Sequence, residues 1–190
     1  DLVFTAANLP GFSIGVEICE DFWAPIPPAM RTALAGALIL CNLSASPVTI
    51  GRADDRHLHC RSSASRAIAA YVYSASGHGE STTDLAWDGQ GVIYEMGTLL
   101  AQSERFDRRG ELCIADVDTA RLAAERLRNQ TFADACGEVL GDVLSTEISP
   151  ELVPPGADGA VQSTESLVGP YELNDFFLHH VIRYGQRPSK

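Results

Sequence analysis

Lysine is almost missing: among 190 residues only Lys190, the last, is one, and the other basic side chains are arginines. Chemistry that needs an amine from within the chain has a single candidate. Long apolar runs are missing too. None reaches the roughly 18–20 residues that a membrane span requires, so no membrane partner is expected. No charged-then-apolar leader opens the chain, and the start at Asp1-Leu2-Val3 leads us to expect further sequence upstream. Excess positive charge is absent, since the net charge is −11. Such a chain is repelled by phosphate backbones, which argues against nucleic acid and for an ordinary cytoplasmic surface. The five cysteines (Cys19, Cys41, Cys60, Cys113 and Cys136) form no Cys-x-x-Cys pair and are odd in number. A disulfide scaffold and a zinc ribbon are thereby disfavoured, a reducing cytoplasm fits, and one thiol is left open to catalysis. No His-Glu-x-x-His occurs. His57 and His59 are two apart and do not share a helix face, His179-His180 are adjacent, and His78 lacks ligand partners, so no metal site is expected.

What is present is an ordinary globular composition, 45% hydrophobic and 21% charged, enough for one domain with a core, or one domain and a tail. A short β-type run over 12–18 ends at Cys19. Pro25, Pro27 and Pro28 then stop the strand and open a helix near 29–35. A second apolar strand, 37–41, leads into the polar turn Asn42-Leu43-Ser44-Ala45-Ser46-Pro47. Residues 51–70 carry an apolar stripe at helical spacing (Ala64, Ala67, Ile68, Tyr71), and 72–75 read as a strand. Short strands then follow at 85–87, 92–95, 99–104 and 112–117, with Asp88-Gly89 as a hairpin turn. Asp118 is placed as the N-cap of a helix over 119–128. Strands alternating with helices, then a meander, predict an α/β layered sheet with an antiparallel side. Near Cys136-Gly137 the pattern shifts. Beyond it come a Pro-, Gly- and Ser-rich stretch, an apolar helix at about 171–184, and no strand signal to complete the first part's sheet.

Gly15-Val16-Glu17-Ile18-Cys19-Glu20-Asp21-Phe22-Trp23 can carry chemistry. A strand followed by a sharp turn exposes one side chain at the strand's end. The next backbone N–H can then face a developing oxyanion. A thiol there can attack an amide carbonyl and form a thioester. By spacing alone, a lone cysteine at a strand end is more often a small buried hydrophobe.

This segment resembles the nucleophile segment of the nitrilase superfamily, in the form found in the glutaminase domains of glutamine-dependent NAD⁺ synthetases. Asn42-Leu43-Ser44-Ala45-Ser46-Pro47 with Gly51-Arg52, then residues 76–84, Trp87-Asp88-Gly89-Gln90-Gly91 and finally Arg126-Leu127-Arg128 with Thr131-Phe132-Ala133-Asp134, follow in family order. The resemblance covers residues 1–136 and implies a partial nitrilase-like α-β-β-α sandwich layer. Residues 137–190, mostly helix and loop, resemble a C-terminal fragment of the synthetase domain.

The resemblance further implies Cys19 as nucleophile and the backbone N–H of Glu20 as oxyanion donor. Ser46 and Arg52 would be the glutamine binders, and Lys190 a contact for deamido-NAD⁺. Trp23 is placed in the pocket wall or, equally, in the core. The implied reaction is ATP-dependent amidation of deamido-NAD⁺ with ammonia from glutamine, with Mg²⁺ as ATP's companion, in a homo-oligomer. The family's catalytic Glu and Lys match nothing in this chain, nor does its Ser-Gly-Gly-x-Asp-Ser ATP loop. Little glutaminase activity is therefore expected of the chain alone. A stand-alone amidase and a non-catalytic interaction piece are the rival readings.

Overall fold

In the computed structural model, residues 1–80, 83–108, 112–139 and 142–148 are described. Lys190, His179, His180 and the expected helix at 171–184 lie outside them. The architecture is a seven-stranded mixed sheet: β1 (Leu2–Ala6), β2 (Ser13–Ile18), β3 (Ile39–Ser44), β4 (Ala70–Ala75), β5 (Gly91–Glu95), β6 (Thr98–Gln102) and β7 (Leu144–Ile148), in the order β6-β5-β4-β3-β2-β1-β7. The centre, β2-β3-β4, is parallel, as strands joined by helical crossovers must be. β5 and β6 extend it antiparallel on one side and β1 on the other.

The crossovers are α1 (Pro28–Leu34) and α2 (Arg52–Arg66). Proline begins α1, where its missing N–H costs nothing. α3 (Thr119–Arg128) and α4 (Gln130–Cys136) follow, capped by the Asp118 and Asn129 carboxylate and amide oxygens, which accept from Arg121 N–H and Phe132 N–H, each at 2.9 Å. β4 shows how the sheet is buried on both faces. Tyr71, Tyr73 and Ala75 join Phe22, Cys60 and Ala64 in one core cluster, while Ala70 and Val72 join Ile39, Cys41, Ile93 and Leu122 in the other. No helix among the described residues is long and apolar enough to cross a membrane.

Four expectations are corrected. Residues 85–87 form no strand, and the hairpin turn is not Asp88-Gly89. It is Met96-Gly97, between β5 and β6, where both residues have positive φ (47° and 84°). Gly97 supplies the second of these left-handed positions without steric cost. Residues 112–117 alternate inward as a strand would, burying Cys113, Ala115 and Val117, yet make no ladder. Beyond Cys136 a strand does complete the sheet: β7 lies parallel to β1 from Leu2↔Leu144 to Ala6↔Ile148. Its signal was weak because only Leu144 and Ile148 are apolar and the strand is largely exposed.

Candidate active site at the end of the central strands

β2 delivers its side chains alternately. Ser13, Gly15 and Glu17 turn inward, and Ile18 is exposed. The next residue, Cys19, leaves the strand at φ 53° and begins a 3-10 turn, Cys19–Trp23. A non-glycine residue in this left-handed region stores about 1–3 kcal/mol and persists only where its surroundings over-determine it. Here the Asp21 carboxylate bridges the corner, accepting the Ile18 N–H at 3.0 Å. The side chain so strained is a half-buried thiol. Glu20, exposed, lies in the first turn, whose N–H groups have no partner within the helix.

Behind the corner sits Glu17, 2% exposed. One carboxylate oxygen accepts from the Tyr71 hydroxyl and from Asn42 Nδ2 at 3.4 Å, and the other accepts the Ala29 N–H at 2.9 Å. Burial pushes this carboxyl above its ordinary range, against the pull of those three donors. Glu17 thereby ties β2, β3, β4 and the first turn of α1 together directly beneath the corner.

The sheet register brings the other predicted residues to the same edge. Ile18 pairs with Leu43, so Cys19 and the 44–46 turn emerge side by side at the carboxyl ends of parallel strands, where α/β sheets bind ligands. Ser46 is buried, and its hydroxyl accepts from Ser44 Oγ at 3.1 Å. The Ser76 N–H, from the end of β4, donates to the Ser44 carbonyl at 2.8 Å. A cleft of about 590 Å³ opens next to Ser46, between residues 47–49 and 83–86, and its lining does not include Cys19.

Arg52 opens α2 after Gly51, which is at φ 81°. A cation in a helix's first turn opposes the helix dipole, so the position has another reason to be basic. Its guanidinium carbon lies 3.5 Å from the centroid of the Trp23 ring. Trp23 is wedged edge-on against Phe22 and His59, each at 5.0 Å between centroids. Phe22 is buried against Tyr71 and Tyr73. This aromatic group fastens the turn that bears Cys19 to α2 and β4.

One turn along α2, Arg56 is fully buried. Its Nη1 donates to Asp88 Oδ2 at 2.9 Å and to Gln90 Oε1 at 2.6 Å, and Arg105 Nε donates to the same Asp88 oxygen at 3.0 Å. Burial alone would push the Asp88 carboxyl up, but the two arginines and the Gln90 N–H hold it below the ordinary carboxylate range. His57 reaches Tyr94 Oη at 2.7 Å and Gln90 Nε2 at 3.0 Å, and burial, then the Arg56 charge, lowers it. The two histidines of α2 thus face different neighbours. Among the described residues, no three His, Cys, Asp or Glu side chains converge on a point that could hold a metal ion.

Sequence reasoning passed over Glu17, Arg56 and Tyr71 as functional supports. Two signals were available. Glu17 is an acid in a buried strand, in phase with Cys19, and Arg56 interrupts the apolar stripe of Cys60 and Ala64.

No family model matches the chain. Over 134 residues, 70% of the chain, it is 60% identical to the glutamine-dependent NAD⁺ synthetases of Mycobacterium bovis and of Mycobacterium leprae, and covers 20% of each. It therefore spans about a fifth of the length of the curated relatives it matches. Among solved structures, the carbon–nitrogen hydrolase from Helicobacter pylori G27 superposes with a TM-score of 0.53 at 20% identity, over 70% of this chain and 51% of that one. This likeness shows the fold. The matched residues identify the chain as a homologue of about one-fifth of a glutamine-dependent NAD⁺ synthetase.

Proposed function

We propose that the chain carries the nucleophile-bearing part of a glutaminase, and that a longer enzyme of this kind uses the ammonia to amidate deamido-NAD⁺ at the expense of ATP. The observation that supports this most is the strained corner at Cys19, φ 53°, at the carboxyl ends of the parallel strands. In this reading the thiolate attacks the side-chain amide carbon of glutamine, and the Glu20 N–H stabilises the oxyanion. The proton given up by the thiol passes to the amide nitrogen, so that collapse expels ammonia and leaves a glutamyl thioester, which water hydrolyses to glutamate and the free thiol. Arg52 holds the substrate carboxylate as a fork of donors. Ser46 binds from the 44–46 turn, and breaking its contact with Ser44 frees it to do so. Glu17 has its carboxylate engaged by three donors and serves as an anchor.

The described residues do not fit ATP or Mg²⁺. The two glycine-bearing loops pack on each other instead of forming a cradle: a Cβ on Gly77 would come within 3.0 Å of Gly89 Cα, and the Gly89 N–H donates to the Ser76 carbonyl at 2.9 Å. No step is routed through either group. Lys190 is proposed as the deamido-NAD⁺ contact on the resemblance alone. The domain boundary at Cys136-Gly137, residence in the cytoplasm and assembly into a homo-oligomer belong to the same proposal.

Trapping tests the reading. A diazoketone analogue of glutamine should alkylate Cys19, found by peptide mass spectrometry, and Cys19→Ser should abolish the adduct. Equal labelling by simple amide-like electrophiles would favour a general amidase. An unlabelled Cys19 would leave only an interaction piece. Ammonia release from glutamine by the chain alone should stay at background, and robust turnover would overturn that expectation.

A further inference from the structure

Arg52 is held in an unusual way. Among the described residues it has no carboxylate within ion-pair distance, and the contact that orients it is the face of Trp23, 3.5 Å from its guanidinium carbon. A guanidinium lying flat on an aromatic ring uses its π-face, so its five in-plane N–H donors are not consumed. The platform is itself clamped. Phe22 meets the indole at 87° and His59 at 77°, and Phe22 is 3% exposed. The Ala24 N–H closes the turn onto the Asp21 carbonyl at 3.1 Å. The five-residue turn Cys19–Trp23 thus has the thiol at one end and the platform at the other.

We propose that Trp23 is a positioning residue: it fixes the Arg52 guanidinium so that the carboxylate of the substrate is held at a set distance from Cys19. This rests on the reading of Arg52 as the partner of the glutamine carboxylate. The short turn then acts as a ruler. Recognition at its Trp23 end and attack at its Cys19 end are linked through one strained, hydrogen-bonded element rather than through two independent loops. A substrate without the carboxylate makes no use of Trp23.

The test compares rates of Cys19 alkylation in the 190-residue chain by three reagents: the diazoketone analogue of glutamine, the same diazoketone lacking the α-carboxylate, and iodoacetamide. With the diazoketone, the thiol proton passes to the diazo carbon, nitrogen leaves and an S–C bond forms. Trp23→Ala should slow the carboxylate-bearing reagent roughly ten-fold, the order expected for a partly buried cation–π contact. The other two rates should fall far less, because Phe22 still holds the turn against Tyr71 and Tyr73. Trp23→Phe, which keeps a ring face, should recover most of the loss. The inference is overturned if Trp23→Ala slows all three reagents alike, if Trp23→Phe is as slow as Trp23→Ala, or if Arg52→Ala slows the carboxylate-bearing reagent while Trp23→Ala does not. If Arg52→Ala leaves that reagent unaffected, or the wild-type thiol does not react with it, the reading of the site fails first and takes this inference with it.

Discussion

Arg126 offers the sharpest test of how the site's frame is held. It sits in the last turn of α3 and donates to four backbone carbonyls: Ile68 at 3.1 Å, Ala33 at 3.1 Å, Ala37 at 2.7 Å and Ala67 at 2.9 Å. These carbonyls lie in the last turn of α1 and in the chain leaving α1 and α2, where helices run out of intrahelical donors, although the Ala33 carbonyl also accepts the Gly36 N–H at 3.1 Å. Phe132 of α4 covers the guanidinium, 4.7 Å from its carbon to the ring centroid. Burial draws Arg126 down to about 10, still far above neutral pH, so it donates as a cation. A charged hydrogen bond contributes about 1.5–3 kcal/mol and a stranded buried acceptor costs about 1–3 kcal/mol. Arg126 is only half-buried, so water can reach some of the four carbonyls after truncation. Counting two as rescued by water, Arg126→Ala should cost about 3 kcal/mol. Arg126→Lys, a point charge unable to span four acceptors, should cost about 2 kcal/mol. Urea unfolding followed by circular dichroism, with the slope held in common, measures both. A loss under about 1 kcal/mol for Arg126→Ala would refute the staple, because the four contacts would then be worth no more than one neutral hydrogen bond.

Other outcomes follow from the same structure. Cys19→Gly should raise stability by roughly 1 kcal/mol, read from the urea midpoint, while abolishing alkylation, because glycine accepts positive φ without strain; unchanged stability would mean that the corner stores no strain. Gly15→Ala should destabilise by about 1–3 kcal/mol, since the new Cβ would collide with the Thr32 hydroxyl and come within 2.6 Å of Thr32 Cβ; thermal melts would show it. Acid should weaken the fold in two stages. His57 and Asp88 both have folded-state values below the ordinary ones, so each stabilises above its unfolded value and loses that contribution as pH falls through its folded value. The first stage should begin below about pH 6.5 and the second below about pH 4. His57→Gln should remove the first stage alone in urea titrations against pH.

The central βα pattern was legible because each crossover helix carried one clear signal. Pro27 and Pro28 marked the start of α1, and the stripe of Ala64 and Ala67 marked α2. Asp118 announced α3 through its short acceptor side chain. The errors share a cause. Asp88-Gly89 has the composition of a hairpin turn, but its aspartate is drawn into a buried ion pair with Arg56, 32 residues away, and local composition cannot report that. β7 was hidden because an edge strand needs few apolar residues. At the site, Cys19 and the 44–46 turn were legible as strand ends. The cage around Glu17 was not, since its partners Ala29, Asn42 and Tyr71 come from three other elements.

The pairing of β7 with β1 also bears on solubility. The Leu144 N–H donates to the Asp1 carbonyl at 3.1 Å, the Ala7 N–H donates to the Ile148 carbonyl at 2.8 Å, and Arg31 spans Asp1 and Asp142. β1 is therefore an interior strand only because a segment some 140 positions later has come back to cover it. A nascent chain released before that segment emerges would present β1's row of unpaired amides and carbonyls to its neighbours. Cleavage between α4 and β7 would do the same, baring β1 as a second template on which copies can zip together.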